Sequence, residues 1–270
     1  SHRIPTGNPD KLITHVEMTI MKGSYKITGT EYEEFINLYH DFIQAGNEIG
    51  MIEKHNGKRV GPVICDFDIR TKSKDRVYTL DHIKSIINTY NDIIKTLFNV
   101  DDNDLQAFVF EKDEPTKDID KNGNFKGTYK DGFHIYFPSV PLRGEFRYLL
   151  YQAVLTKLKK MNIFKDIPLL EPIEKVFDPS VVYTNGILMF GCHKKGRNSY
   201  VLTHKFRYNN KSKTVYQDSI RELVNDKIEL VEMTSLRLYD EESTLEIKDK
   251  KLIKTAIRIA KDKKYPTDLV

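Results

Sequence analysis

Two aspartates, Asp66 and Asp68, stand at alternate positions in Val63-Ile64-Cys65-Asp66-Phe67-Asp68-Ile69. The apolar, β-branched character of that stretch is that of a short buried strand. Alternate side chains of a strand project to opposite faces, so Ile64, Asp66 and Asp68 share one face and Cys65, Phe67 and Ile69 share the other. Two ionised carboxylates at this spacing repel each other and require water, a proton or a cation. A divalent Mg2+ or Mn2+ ion, held by both acids and by substrate phosphates, would satisfy the charge. The competing reading is an edge-strand pair facing solvent. Further residues bear on the choice. In the alternating segment Gly132–Pro138, Gly132, His134 and Tyr136 share one face, and Lys130 lies two residues upstream. Val176-Phe177-Asp178-Pro179 adds a third carboxylate at a turn. Alone, His134 reads as a satisfied structural histidine and Asp178 as a turn residue. Together, the three acids can hold one or two divalent ions against a triphosphate. His134 and Lys130 can bond phosphate oxygens, and Gly132 permits close backbone approach.

The elements that must position these groups follow from periodicity. Thr30 and Glu33 form a capping box before Phe35, Ile36, Leu38, Tyr39, Phe42 and Ile43, an amphipathic helix that Gly46 should stop. Asn56-Gly57 reads as a turn. The carboxylate strand spans about 60–69, and Ile83, Ile86, Ile87, Tyr90, Ile93, Ile94, Leu97 and Phe98 mark a helix after it. Leu105–Glu111 reads as a strand. Lys112–Lys130 is polar, charged and without an apolar period, which predicts a long mobile loop. The Gly132–Pro138 strand follows, then a helix from Phe146 to Met161, then strands Gly186–Phe190 and Tyr200–Arg207 as a hairpin turning at 193–198. The order strand, helix, strand, strand, helix, strand is the split βαβ order of ferredoxin-like and RNA-recognition-type domains. It predicts an α+β fold with an RNA-recognition-motif-like core. The first and third strands should lie together at the sheet centre, with helices on one face and the other face open. His134 then stands beside Asp66 and Asp68. The expected organisation is an N-terminal α/β region over 1–59, a catalytic core over 60–215 and a C-terminal helical segment over 216–270.

The chain has 270 residues, 39% hydrophobic and 30% charged, as a soluble globular protein has. No apolar run approaches a membrane span, so no membrane partner is expected. Cys65 and Cys192 lie far apart and support neither a disulfide framework nor a structural zinc, which suits a reducing intracellular compartment. Without an initiator Met or a signal peptide, Ser1 is expected to begin an excised piece of a longer chain. A net charge of +4 says little, but its distribution says more. No Asp or Glu occurs from Pro179 to Gln217, where Lys194, Lys195, Arg197, Lys205, Arg207, Lys211 and Lys213 alternate with Tyr200, Phe206 and Tyr208. Basic groups interleaved with aromatics suit a phosphate backbone and stacked bases, and a solvated basic strand face is the alternative. Asp118-Ile-Asp120-Lys-Asn122-Gly123 begins like a calcium loop, but Tyr129 stands where the bidentate acid belongs.

VICDFDI, YKDGFHIYFP and VFDPSVVYTNGILMFGCHKKGRN together resemble the three motifs of the archaeo-eukaryotic primase superfamily, and within it the primase half of viral primase-helicases. The resemblance spans roughly residues 14–240. It implies template-directed nucleotide polymerisation on single-stranded DNA from nucleoside triphosphates. Asp66, Asp68 and Asp178 are the implied metal ligands and Lys130, His134 and Lys194 the implied nucleotide contacts, with Gly132 and Arg197 expected beside them. Lys195, Lys205 and Arg207 are the expected DNA contacts. Gly132 replaces the serine common in the second motif, and Met189 stands where several relatives carry arginine. The resemblance also implies a helicase motor downstream in the full-length protein, and no GxxxxGK[ST] loop is present in this sequence. A viral source would place the protein in host cytoplasm or a viral factory. A non-catalytic single-strand-binding module is the alternative. It would carry aromatics on its open face, where this chain carries acids.

Overall fold

A computed structural model describes residues 3–4, 13–55, 59–183, 185–193, 199–225 and 227–262. The N-terminal part builds a small antiparallel sheet from β1 (Arg3–Ile4), β2 (His15–Glu17), β3 (Gly23–Tyr25) and β4 (Met51–Glu53). The helix α1 (Thr30–Gln44) buries Tyr32, Ile36, Tyr39 and Ile43 against Met51, Met189 and Cys192. Its N-cap is Gly29, with no side-chain cap, so the expected Thr30 capping box does not form. The helix ends as expected just before Gly46, whose φ is +79°.

The next elements are β5 (Gly61–Thr71), α2 (Leu80–Leu97), β6 (Gln106–Glu111), β7 (Thr116–Ile119), β8 (Phe125–Leu142) and α3 (Gly144–Met161). Thr79 opens α2, with His82 Nδ1 accepting from the Thr79 amide at 3.1 Å. The apolar faces of α2 and α3 cover one face of the larger sheet. There Ile83, Ile86, Ile87, Leu150 and Val154 share a core with Cys65, Phe67, Ile69, Phe133, Ile135 and Phe137. This is the strand parity expected from the sequence. Burying each of these large side chains contributes roughly 1.5–3 kcal/mol.

Short helices α4 (Ile173–Val176) and α5 (Ser180–Tyr183) precede β9 (Ile187–Leu188), β10 (Val201–Asn209) and β11 (Thr214–Asp218). Helices α6 (Arg221–Asn225), α7 (Lys227–Thr234) and α8 (Lys251–Asp262) follow. The larger sheet runs β11-β10-β6-β8-β5, antiparallel throughout, with β7 on the outer part of β8.

The chain is thus a mixed α/β fold whose details depart from the expected topology. The first and third core strands, β5 and β8, do pair, but β5 ends the sheet order instead of lying at its centre. The expected fourth strand joins the other sheet, where β9 pairs with β4. Consequently β10 does not form a hairpin with β9. It lies between β6 and β11. The expected loop 112–130 is a β7–β8 hairpin. Nor is the second sheet face wholly open. Ile64, Phe108, Phe110 and Tyr136 on that face pack with Leu223, Leu230 and Leu236 from the C-terminal segment. Among the described residues, the end that carries the acids opens onto a cleft. The expected Asn56-Gly57 turn and most of the 193–198 turn lie outside the described residues.

Candidate active site

The β5–β8 register puts Asp66 opposite His134, Asp68 opposite Gly132 and Arg70 opposite Lys130. All six positions face the same side, because paired strands keep side-chain parity. The free edge of β5 receives the third motif. Phe67 and Phe177 form an isolated antiparallel bridge, and the Asp178 amide donates to the Asp66 carbonyl at 2.9 Å. Ser180 then fixes the Asp178 carboxylate, its amide donating to Oδ1 at 2.9 Å and its hydroxyl to Oδ2 at 2.7 Å. One potential ligand atom from each of Asp66, Asp68 and Asp178 lies within 4.8 Å of the others.

A stack of rings beneath the acids explains why the three motifs stay together. Phe67 lies between Phe133, at 4.8 Å and 17°, and Phe177, at 4.6 Å and 0°. All three rings are fully buried. Each adjoins a candidate site residue in sequence: Phe67 separates the two aspartates, Phe133 precedes His134, and Phe177 precedes Asp178. Close packing of this stack therefore fixes the backbone from which the polar groups project.

Crowding of like charge marks the cluster. Withdrawal from bulk water raises the Asp68 carboxyl above its ordinary range, Asp66 and Asp178 raise it further, and Lys112 and His134 oppose them. Asp68 still opens onto a cleft of about 350 Å³, so water reaches it while protein surrounds its other sides. Asp66 Oδ1 is buried without a hydrogen bond, and His134 Nε2 stands 3.3 Å away. A buried carboxylate oxygen left in this way, beside two further carboxylates, fits a hard divalent cation. Tyr200 lies flat on the His134 ring, with centroids 3.8 Å apart, and Lys112 Nζ is 5.0 Å above Tyr200. Across the cleft stand Ile52, Gly186, Ile187 and Leu188, so the β4–β9 pairing supplies its opposite wall.

Gly132 has φ +153°, and a Cβ there would come within 2.0 Å of the Phe67 carbonyl oxygen. That contact explains why glycine occupies the position at which serine resembles the family pattern more closely. Met189 is buried against α1 and β4.

The remaining expected residues divide. Lys130 lines the cleft, with its Nζ 2.9 Å from buried Asp118. Lys205 and Arg207, expected on DNA, both face Asp218 on β11, at 3.6 and 2.6 Å. Lys194, Lys195 and Arg197 lie outside the described residues. Sequence reasoning missed Arg70, Lys112 and Tyr200 in the cleft wall. Arg70 was within reach, because it continues the Asp66–Asp68 alternation by one more step.

Fold and cleft together define a mixed α/β domain that gathers three carboxylates against a basic wall. The family model described as "C962R protein N-terminal AEP domain" matches residues 14–206, and the chain belongs to this family of archaeo-eukaryotic primase domains from viral primase-helicases. It is 33% identical over 190 residues to "Putative helicase L207/L206" of Acanthamoeba polyphaga mimivirus, covering 70% of this chain and 19% of that protein. It is 24% identical over 212 residues to "Putative helicase 184R" of Invertebrate iridescent virus 6, covering 72% and 21%. The chain thus spans about a fifth of the length of these relatives. No helix among the described residues is long and apolar enough to cross a membrane.

Proposed function

We propose that this chain is the primase, or primase-polymerase, domain of a viral replication protein and joins nucleotides on a single-stranded DNA template. The observation that carries the reading is the convergence of Asp66, Asp68 and Asp178 within 4.8 Å beside a cleft lined by Arg70, Lys112, Lys130 and His134. Family membership supports a primase role in general. Asp66, Asp68 and Asp178 would hold Mg2+ or Mn2+. When bound, such an ion lowers the pKa of an attacking hydroxyl and neutralises charge on the leaving pyrophosphate. The chain's own residues do the rest. Lys112, Lys130 and Arg70 offer cationic donors to phosphate oxygens, and His134 offers a directional one. Tyr200 fixes the His134 ring by stacking. Ile187 and Leu188 give the opposite wall an apolar surface. A helicase part elsewhere in the full-length protein and residence in the infected cell belong to the same proposal, supported by the relatives' names.

A non-catalytic single-strand-binding module would need aromatics exposed on the sheet face. Here Phe108, Phe110 and Tyr136 on that face are buried, and the exposed end carries acids that repel phosphate without a cation. The test is nucleotide incorporation on a single-stranded template, with Mn2+ or Mg2+ and with chelator. Incorporation that requires both template and metal supports the proposal. Template binding with no incorporation under any metal leaves the binding module.

A further inference from the structure

The β7–β8 hairpin projects past the larger sheet, and its sequence is deceptively balanced. Between Thr116 and Lys130, Lys117, Lys121, Lys126 and Lys130 accompany Asp118 and Asp120. Folding separates the two signs. Asp118 is only 3% exposed, with Lys130 Nζ at 2.9 Å, Arg70 Nε at 3.5 Å and Lys126 Nζ at 3.7 Å. Asp120 is consumed by its own turn, accepting from the amides of Asn122 and Asn124 at 2.8 and 2.9 Å. Lys117, Lys121 and Lys126 remain exposed. The outer surface of the hairpin is therefore cationic, although Asp113 and Glu114 stay exposed at its base.

On the side away from Asp118, Ile119 and Phe125 are cross-strand partners, 52% and 46% exposed. Lys117 Nζ lies 5.8 Å over the Phe125 ring, and Tyr129 meets that ring edge-on at 5.3 Å. An exposed aromatic ring among lysines complements a stacked base and its phosphates. The hairpin is also continuous with the cleft, because Arg70 and Lys130 at its root line both.

We propose that the outer half of this hairpin is a contact for single-stranded nucleic acid beside the cleft, with Phe125 stacking on a base and Lys117 and Lys121 holding phosphates. The identity of the strand, template or product, rests on the reading under Proposed function. The contact itself needs no metal.

The test uses the full chain in chelator with a short single-stranded DNA that carries a fluorescent base analogue. Phe125→Ala should weaken binding about ten-fold, as expected for one lost base–aromatic stack. Lys117→Ala with Lys121→Ala should flatten the salt dependence by about 0.7 for each phosphate contact removed. A Mn2+-induced rise in melting temperature, retained in the variants, reports an intact fold and carboxylate cluster. Should that rise be missing from the wild type as well, the metal-dependent reading fails while the binding comparison still judges the hairpin. Wild-type affinity and slope in both variants would overturn the proposal and leave the apolar pair to a protein partner. Absence of oligonucleotide binding by the wild type would overturn it too.

Discussion

Gathering Asp66, Asp68 and Asp178 into one cluster costs the fold stability, and Asp68 shows where. Withdrawal from bulk water, and then the neighbouring negative charge of Asp66 and Asp178, raise its carboxyl above the ordinary range, so the folded chain binds that proton more tightly than the unfolded chain. Stability contributed by protonated Asp68 is then lost as pH rises through its folded-state range. Asp68→Asn should raise the melting temperature near neutral pH in chelator. The gain should vanish once the pH is low enough to protonate the wild-type side chain. Metal should reverse the order. At about a hundred times its dissociation constant a bound ion adds roughly 2.7 kcal/mol to the wild type, and the variant should lack most of it. Thermal melts with chelator and with Mn2+ across pH check both halves. A lower melting temperature for the variant in chelator would make Asp68 a structural residue.

At the scale of elements, the Phe133–Phe67–Phe177 stack couples β5, β8 and the turn that bears Asp178. Phe177→Ala should cost about 3–5 kcal/mol as a large-to-small core change. It should also weaken Mn2+ binding in the fraction that stays folded, because Asp178 follows Phe177 directly. Phe177→Leu should recover most of both. Denaturant unfolding and metal titration measure the two effects, and unaltered metal affinity in folded Phe177→Ala would uncouple the stack from the site. This part of the design was legible in the sequence, since alternation is local: the parity of Asp66, Phe67, Asp68, Phe133 and His134 follows from spacing alone. Pairing partners are not local. Nothing in Ile187-Leu188 says that β4 will take it and leave the edge of β5 to Phe177. The strand β7 escaped notice because ion pairs hold its one buried side chain, Asp118, where a strand usually presents an apolar alternation. The acid-free run ending at Gln217 is balanced from just outside its end. Its counter-ion, Asp218, is the next residue, brought back across the β10–β11 turn to Lys205 and Arg207.

Across the whole molecule, the two sheets and the C-terminal segment depend on one another. Buried Glu53 in β4 accepts from the Leu236 amide at 2.7 Å and from the Tyr32 hydroxyl, and Arg237 donates to the Lys54 carbonyl at 3.2 Å. Leu223, Leu230 and Leu236 cover Ile64, Phe108, Phe110 and Tyr136. Residues 60–215 alone should therefore expose a large apolar face and give aggregates or a dye-binding, loosely packed state, which light scattering and dye fluorescence would detect. A monodisperse, cooperatively melting 60–215 fragment would make this segment independent of both flanking parts. The central claim is that the carboxylates gathered by this architecture serve nucleotide transfer rather than the fold. It is tested most directly by single-turnover incorporation on a single-stranded DNA template, with Asp66→Asn compared against wild type at saturating nucleotide and Mn2+. The account predicts loss of at least about a hundred-fold in rate, with a melting temperature in chelator no lower than that of the wild type. Wild-type incorporation that persists in Asp66→Asn, or that proceeds equally well in chelator, would contradict it.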